Sequence, residues 1–325
     1  MQAARALRER YFIDHPSGFL ALSPRNRRFE IRGVPGFIAY REQGRHLVLF
    51  GGVHAPAGAR TPLLDGFIGE ADRRGRRVIA VQVREAQREL FRQRGFTVNE
   101  LGSSYALRLA AYSFAGTKRM SLRNKIKRAR ALGVRILEIG RELPSDAATF
   151  AQLSAISREW LAKKGKKELD FMIGEMGGPG DPERRIFAAV DGSDRMIGFI
   201  TYVPAFGERP GFLHDLTRRT ADAPAGCMEL CNATAMERLA ADGALYLHFG
   251  FTPFVLAGRD GPGASRLVSW VLRLLGRYGS FIYPARRQAE YKRKWLPDIV
   301  DPELVAFRPL SLRAIFDLLI LTRSI

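Results

Sequence analysis

Residues 185–203 read RIFAAVDGSDRMIGFITYV, and this stretch decides the fold. Two apolar runs, Arg185–Val190 and Met196–Val203, flank the dipeptide Asp191-Gly192, which is typical of a tight turn between antiparallel strands. A third apolar run, Gly211–Leu216, follows a short connection and predicts a third strand. The stretch therefore predicts three antiparallel strands in succession.

Helices and further strands are expected on both sides of these three strands. Ser145 or Asp146 can cap a preceding helix that runs to about Lys163. After the third strand we expect a helix, a strand, a helix and a last strand, at Gly226–Ala241, Ala244–Phe249, Ala264–Tyr278 and Leu304–Phe307. This order predicts a mixed α/β fold whose largely antiparallel sheet is joined by a parallel strand.

The first part of the chain shows a similar alternation of strands and helices. The predicted elements are a hairpin, a helix, a strand, a helix and a strand, at Phe37–Glu42 with His46–Phe50, Pro62–Arg73, Val78–Val83, Glu85–Arg94 and Tyr105–Leu109. Since 325 residues can form two cores of ordinary domain size, we expect two units in tandem.

A strongly basic segment lies between the two parts. Residues 118–135 read KRMSLRNKIKRARALGVR, with eight Lys or Arg and no acid. Helical spacing places Leu122, Ile126, Ala129 and Leu132 on one side. A second stripe at i, i+4, i+8 and i+11 consists of Arg119, Arg123, Lys127 and Arg130. Because like charges at this spacing destabilise an isolated helix, we expect the stripe to bind an anion or to be a solvated basic face.

The composition favours a polyanionic partner. Lys and Arg number 52 against 33 Asp and Glu, which gives a formal charge of +19 and an isoelectric point near 10.6. Nucleic acid and an anionic membrane surface both attract such a chain, and charge alone does not distinguish them.

Location and redox state are predicted from what the sequence lacks. No apolar stretch approaches the roughly 18 residues that span a bilayer, and the first residues lack an apolar secretory segment, so we expect a cytoplasmic protein. Cys227 and Cys231 are four apart in a predicted helix, which does not fit a redox motif. The five histidines show no metal-ligand spacing, so no metal is expected.

Several phrases carry a family resemblance that runs from about Phe19 to Phe307. The element order around the AAVDGS turn resembles the GNAT acyltransferase superfamily. In addition, six phrases together resemble the catalytic domain of phosphatidylglycerol lysyltransferases and related aminoacyl-tRNA-dependent transferases. They occupy residues 95–102, 114–133, 160–174, 214–239, 247–253 and 291–297.

The resemblance implies two tandem GNAT-like domains joined by a positively charged helix. The expected boundaries are 1–112 for the N-terminal domain, 113–135 for the basic connecting helix and 136–325 for the catalytic domain. It also implies transfer of an aminoacyl group from aminoacyl-tRNA to a hydroxyl of phosphatidylglycerol or a similar acceptor, with no further cofactor. The expected tRNA contacts are Lys118, Arg119, Arg123, Lys127 and Arg130.

The same resemblance assigns the site. Asp215, Arg218 and Asp222 match the acidic, Arg and Asp positions of the family motif. A carboxylate there can hold the donor's α-ammonium or accept the acceptor's proton, and the Arg can bind a phosphate of the lipid or tRNA. Lys292 and Lys294 match a basic pair expected to stabilise phosphate or the developing oxyanion. The Gly-x-x-Pro phrase, Gly250 to Pro253, is expected to contact substrate, and His214 is expected to be a packing or supporting residue.

Other functions stay open on the sequence alone. The glycine loop from Gly258 to Gly263 precedes a predicted helix and partly fits a pyrophosphate loop, so a CoA-dependent N-acyltransferase is one alternative. A non-catalytic polyanion-binding module is another, and aminoacyl transfer to a soluble peptide or metabolite is a third. Ser103-Ser104 replaces an acidic pair of the family phrase. Residues 310–325 form either an interfacial amphipathic helix or a helix packed on the second domain.

Overall fold

The structure is a computed structural model that describes residues 11–164, 171, 174–258, 261–278 and 285–322. Within this part of the chain, eleven strands form one sheet. The strands are β1 Arg27–Ile31, β2 Val34–Gln43, β3 His46–His54, β4 Arg77–Arg84, β5 Thr97–Arg108, β6 Arg135–Glu138, β7 Arg185–Val190, β8 Met196–Ala205, β9 Gly211–Arg219, β10 Tyr246–Pro253 and β11 Ile299–Arg308.

The order of strands shows how the two parts of the chain join. Across the sheet the order is β1-β2-β3-β4-β11-β5-β10-β9-β8-β7-β6. The pairs β3/β4 and β9/β10 are parallel and the other neighbours are antiparallel. The predicted mixed α/β fold is confirmed. The division at residues 112 and 136 stays a prediction, because strands from both parts share one sheet and β11 lies between β4 and β5.

Helices cover both parts of the sheet. They are α1 Ala57–Arg73, α2 Arg88–Arg92, α3 Met120–Ala131, α4 Ala147–Lys164, α5 Cys227–Ala241, α6 Arg266–Tyr278, α7 Ala285–Arg293 and α8 Leu312–Leu321. The α1 side chains Leu63, Leu64 and Phe67 are buried against β2, β3 and β4. In the other part, α5 packs on β7 and β8, and Cys227 and Cys231 are buried, unpaired thiols in that core.

The predicted hairpin of β7 and β8 is present. Arg185 pairs with Tyr202, and the register continues to Val190 opposite Met196. The turn is held by Asp191, whose Oδ1 accepts hydrogen bonds from the backbone N–H groups of Ser193 and Arg195. Asp146 caps α4 as predicted, because its Oδ1 accepts from the Thr149 N–H at 2.8 Å.

The basic segment forms a shorter helix than predicted. One 3-10 turn at Thr117–Arg119 leads into α3, which ends at Ala131, and Arg135 begins β6. Leu122 and Ile126 are buried as predicted. The placement of Leu132 on the buried side was wrong: it is 55% exposed, because it lies beyond the last helical residue and Gly133 turns the chain at φ +78°.

Other elements differ from the sequence-based expectations at their ends. Strand β1 was not predicted, β5 begins eight residues earlier than expected at Thr97, and the helix expected at Glu85–Arg94 is a 3-10 turn followed by the single-turn α2. The last helix, α8, packs on β2 and β3 of the first part of the chain. Its Asp317 carboxylate is buried and lies 2.7 Å from Nδ1 of His46.

Candidate functional site

The site lies where two parallel strands separate. Strands β9 and β10 pair only from Gly211 to Leu213, opposite Tyr246 to His248. Beyond this point β9 continues along β8 and β10 continues along β5. A bulge between His248 and Gly250 accompanies the separation, and Gly250 adopts φ +69°, which favours glycine.

A cavity of about 870 Å³ lies between the separated strands. Its wall includes the diverging ends of β9 and β10, the amino end of α5, and side chains of α7. Seven charged side chains line it: Lys125, Asp215, Arg218, Arg219, Glu229, Arg287 and Lys292. Five of the seven are basic, so the cavity suits an anionic or ester substrate better than a cationic one.

Asp215 is the buried acid of the cavity. Its side chain is 3% exposed, Oδ2 accepts from Nη1 of Arg184 at 3.0 Å, and Oδ1 accepts from the Gly174 N–H at 2.9 Å. Burial raises the pKa of Asp215 to about 6, although Arg184 and the Gly174 N–H oppose the shift. A carboxyl group with a pKa near neutrality is suited to proton transfer.

Arg218 lies on the same strand, three residues along. It is 5% exposed, and its guanidinium lies 4.2 Å from the centroid of the Trp160 ring. Burial lowers the pKa of Arg218 to about 10, so it stays cationic at neutral pH. Trp160 of α4 thus fixes a positive charge at the cavity wall by stacking.

His214 supports the site through uncharged contacts. Its Nε2 lies 2.6 Å from Oγ1 of Thr217, and its Nδ1 lies 3.2 Å from Oδ1 of Asn232. The same Asn232 oxygen accepts from the Tyr202 hydroxyl at 2.6 Å. Burial lowers the pKa of His214 to about 3, so the ring is neutral. The residue lines the cavity within a polar network, which agrees with the expected supporting role.

Lys292 lines the cavity but uses its donors inside the protein. Nζ donates to the carbonyl oxygens of Gly250 and Phe251, both at 2.9 Å, and to Oγ1 of Thr252 at 2.8 Å. An ammonium group has three donors, so these bonds satisfy it. Burial lowers the pKa of Lys292 to about 7. The geometry assigns it to holding the bulged strand β10 in shape; it does not favour the expected contact with a substrate oxyanion.

Lys294 acts on the cavity through another residue. It does not line the cavity; its Nζ donates to Oε1 of Glu229 at 2.7 Å. Burial raises the pKa of Glu229, but the hydrogen bond and charge of Lys294 outweigh it, so the net pKa is lowered. Lys125 of α3 also lies 3.6 Å from the Glu229 carboxylate.

The basic helix meets the cavity at Gly226. This residue precedes α5 and adopts φ +93°, and a Cβ added to it would lie 2.2 Å from the carbonyl oxygen of Lys125. Both Gly226 and Lys125 line the cavity. Only glycine permits this close approach, and it places α3 directly beside the cavity.

One protein family matches most of the chain. The family model described as phosphatidylglycerol lysyltransferase, C-terminal, matches residues 5–307. The chain belongs to this family. The resemblance expected from the sequence phrases is confirmed.

The curated relatives are longer proteins. The lysylphosphatidylglycerol biosynthesis bifunctional protein LysX of Nocardia farcinica (strain IFM 10152) is 28% identical over 240 residues, which is 72% of this chain and 21% of LysX. LysX of Mycobacterium leprae (strain Br4923) is 27% identical over 214 residues, which is 64% of this chain and 19% of that protein. The chain spans about a fifth of the length of these relatives.

Two solved structures share the fold. L-PGS from Bacillus licheniformis aligns with a TM-score of 0.78 and 20% identity, covering 99% of this chain and 95% of that one. The C-terminal domain of a putative lysylphosphatidylglycerol synthetase from Agrobacterium fabrum aligns with a TM-score of 0.77 and 18% identity, covering 99% of this chain and 96% of that one.

The five residues expected to contact tRNA in this lysyltransferase-family chain divide into two groups. Lys118, Lys127 and Arg130 are exposed on α3 and its leading turn. Arg123 donates to the carbonyl oxygens of Phe114 and Gly116, and Arg119 lies 4.8 Å from the Tyr112 ring centroid. The second group therefore holds the loop that leads into the helix, and the first group faces solvent.

Two further residues of the predicted site lie away from the cavity. Asp222 forms a 2.6 Å ion pair with Arg195 of the β7-β8 turn, and both side chains are more than half exposed. Pro253 does not line the cavity, whereas Gly250 does. The predicted cluster is therefore only partly assembled: Asp215, Arg218, Lys292 and Gly250 line one cavity, whereas Asp222, Lys294 and Pro253 do not.

The glycine loop lies elsewhere. Residues 259–260 are outside the described part of the chain, but the Gly258 N–H donates to the Glu100 carboxylate at 3.1 Å, and none of the described loop glycines lines the cavity. A carboxylate at the loop's start repels the pyrophosphate that a CoA site must hold.

The described residues form neither a metal site nor a membrane-spanning helix. They contain no group of three or more His, Cys, Asp or Glu side chains placed to hold a metal ion. No helix among them has the length and hydropathy required to cross a bilayer. The serines that replace an acidic pair form internal bonds, Ser103 to the Val255 carbonyl and Ser104 to Glu303.

Proposed function

We propose that this chain transfers an aminoacyl group from aminoacyl-tRNA to a hydroxyl of phosphatidylglycerol or a similar acceptor. Family membership supports aminoacyl transfer to a lipid as the reaction class. The junction of α3 with the cavity at Gly226 and Lys125 carries the proposal for the donor. A polyanion bound along the exposed Lys118, Lys127 and Arg130 would have its end within reach of a cavity that contains a buried carboxyl group.

The donor ester is already activated, so the site needs positioning, proton transfer and charge stabilisation. The Asp215 carboxylate accepts the proton of the attacking lipid hydroxyl as its oxygen bonds to the ester carbonyl carbon. The tetrahedral oxyanion is stabilised by the Arg218 guanidinium. When the intermediate collapses, the ribose oxygen leaves and takes the proton from Asp215. Atoms and charge balance without a covalent enzyme intermediate.

The other residues of the site position these two. Arg184 holds Asp215, and Trp160 holds Arg218. Lys292 keeps β10 apart from β9 by binding successive carbonyl groups at the bulge. Lys294 and Lys125 neutralise Glu229, which lies in the first turn of α5. The neutralised carboxylate then does not repel the phosphates of the donor.

A reconstituted transfer assay tests the proposal. Total tRNA, synthetases, a lipid extract and one radiolabelled amino acid at a time are incubated with the protein, and label is counted in the organic phase. We expect label in lipid for at least one amino acid, its loss after RNase treatment, and its loss with Asp215→Asn. Label that reaches only a water-soluble acceptor would indicate the soluble-acceptor alternative. Transfer that requires acyl-CoA and is insensitive to RNase would contradict the proposal.

A further inference from the structure

Helix α6 has two apolar faces, and only one is covered. Val268 and Leu272 are 3% and 7% exposed and pack into the core beneath the helix. On the opposite side Leu267, Trp270 and Leu274 are 63%, 59% and 42% exposed. Their spacing of i, i+3 and i+7 places them in one stripe. A contiguous apolar stripe that includes an exposed Trp marks a binding surface.

A basic stripe runs beside the apolar one. Arg266, Arg273 and Arg277 are exposed, and their spacing of i, i+7 and i+11 places them on one line along the helix, next to Trp270. No acid occurs from Gly261 to Tyr278. The surface therefore combines large apolar side chains with positive charge along its whole length.

Helix α8 provides a comparison within the same molecule. Leu312 and Phe316 are also exposed there, at 84% and 48%. However, its one basic residue, Arg313, donates to the buried Asp317 carboxylate at 3.0 Å. This helix lies in the C-terminal segment for which an interfacial role was one expectation, but it lacks the positive stripe that attraction to anionic lipid requires.

We propose that α6 lies flat in the surface of an anionic phospholipid bilayer. Leu267, Trp270 and Leu274 enter the boundary between head groups and acyl chains, while the arginines reach the lipid phosphates, as in helices that lie in the plane of a membrane. A second copy of the chain fits this face poorly, because a symmetric contact would bring two arginine stripes together without a carboxylate between them.

This inference rests on the proposed function and adds the side of the molecule that faces the bilayer. Gly276 of α6 packs against Phe254, since an added Cβ would lie 2.3 Å from the Phe254 carbonyl oxygen. Phe254 comes three residues after Phe251, which lines the cavity, and α7, the next helix in the chain, supplies Tyr291 and Lys292 to the same wall. Docking of α6 would bring the cavity to the lipid whose head group accepts the aminoacyl group.

Vesicle binding without tRNA tests the docking alone. The probe is vesicles of equal phosphatidylglycerol and phosphatidylcholine, compared with pure phosphatidylcholine, in a sedimentation assay. The variant Leu267→Gln/Trp270→Gln/Leu274→Gln should bind the anionic vesicles at least about tenfold more weakly. The matched control, Leu312→Gln/Phe316→Gln, should stay within about twofold of the unmodified protein. Arg266→Gln/Arg273→Gln/Arg277→Gln should lose the preference for anionic vesicles.

Trp270 itself reports insertion. Brominated acyl chains should quench part of the fluorescence of the unmodified protein, and Trp270→Phe should bind vesicles but lose that quenching. Unchanged binding by the Leu267/Trp270/Leu274 variant, or equal loss in the α8 control, would overturn the proposal. A change of oligomeric state in light scattering that accompanies the variant would assign the face to a second copy instead.

A water-soluble, short-chain phosphatidylglycerol separates docking from catalysis. The Leu267/Trp270/Leu274 variant should keep transfer to this acceptor and lose transfer to vesicles. If vesicle binding follows the prediction but no aminoacyl-tRNA supports transfer to either acceptor, the proposed function fails and the docking surface stands.

Discussion

Lys125 and Glu229 face each other where the basic helix meets the cavity, with Nζ of Lys125 3.6 Å from Oε1 of Glu229. Lys294, in the turn that follows α7, approaches the same oxygen at 2.7 Å. One carboxylate thus joins the helix expected to bind tRNA to the wall of the chemical site. Because Glu229 is largely buried between two ammonium groups, a change at this junction should alter both donor binding and transfer.

Replacement of Gly226 by alanine should separate α3 from α5. The new Cβ would lie 2.2 Å from the Lys125 carbonyl oxygen, and the residue's φ of +93° disfavours a side chain. We expect a loss of about 1–3 kcal/mol in the free energy of unfolding and weaker transfer activity. Denaturant titration measures the first. Gly58→Ala is the control, because no heavy atom lies within 4 Å of its added Cβ; equal stabilities of the two variants would contradict the close approach.

Charge reversal on the exposed face of α3 should weaken tRNA binding. In Lys118→Glu/Lys127→Glu/Arg130→Glu, removal of three phosphate contacts should lower the slope of log affinity against log salt by about 2–3. The control for net charge is Arg27→Glu/Arg32→Glu/Arg73→Glu, which makes the same charge change on exposed residues near the β1 edge of the sheet. It also breaks the exposed ion pairs of Arg27 with Glu42 and of Arg73 with Glu70. If both variants lose affinity equally, tRNA responds to net charge and not to this helix.

Asp215→Asn should abolish transfer and leave tRNA affinity unchanged. Burial raises the pKa of Asp215 to about 6, so the transfer rate of the unmodified protein should increase as pH rises through 6. The contribution of Asp215 to the free energy of unfolding changes with pH in the opposite direction to the rate. A carboxyl group with a raised folded-state pKa stabilises most at low pH, and that stabilisation is lost as pH rises through about 6. The melting temperature of the variant should therefore increase relative to that of the unmodified protein between about pH 4, near the ordinary pKa of Asp, and pH 6.

Lys292→Met should disturb the bulge of β10. The change leaves the Gly250 and Phe251 carbonyl groups without their partner, and a buried unpaired group costs about 1–3 kcal/mol. Burial lowers the pKa of Lys292 to about 7, so the unfolded chain binds the extra proton between pH 7 and its ordinary pKa near 10.4. The unmodified protein should then gain stability across that range relative to the variant. A constant difference in melting temperature from pH 7 to 9 would show that Lys292 does not titrate there.

Local features of the fold were predictable from the sequence, and its topology was not. The Asp191-Gly192 turn and the buried side of α3 follow from residue spacing over a few positions. In contrast, the insertion of β11 between β4 and β5 joins residues about two hundred positions apart, and no local pattern encodes such a pairing. The short β1 has the sequence RRFEI, in which three of five residues are charged, so the apolar pattern that predicts a strand is missing.

The candidate site shows the same division. Asp215 and Arg218 were predicted from the motif, but their partners Arg184 and Trp160 come from other elements. Trp160 begins one of the family phrases, yet nothing in the sequence paired it with Arg218, and Arg184 was not singled out at all. Lys125 was visible in the basic segment, yet it lies outside the stripe that helical spacing favoured, and only the approach of Gly226 places it at the cavity. The charge of Lys292 was visible in the sequence, but the three acceptors that its ammonium group contacts were not.

One measurement tests aminoacyl transfer from tRNA to lipid most directly. Purified, preformed aminoacyl-tRNA carrying a labelled amino acid is mixed with the protein and phosphatidylglycerol vesicles, without ATP, synthetase or free amino acid. We predict that label leaves the acid-precipitable tRNA and enters the organic phase in equal amounts, and that Asp215→Asn stops both changes. Label that stays on every aminoacyl-tRNA tested, or that is released only as free amino acid, would contradict the proposed function.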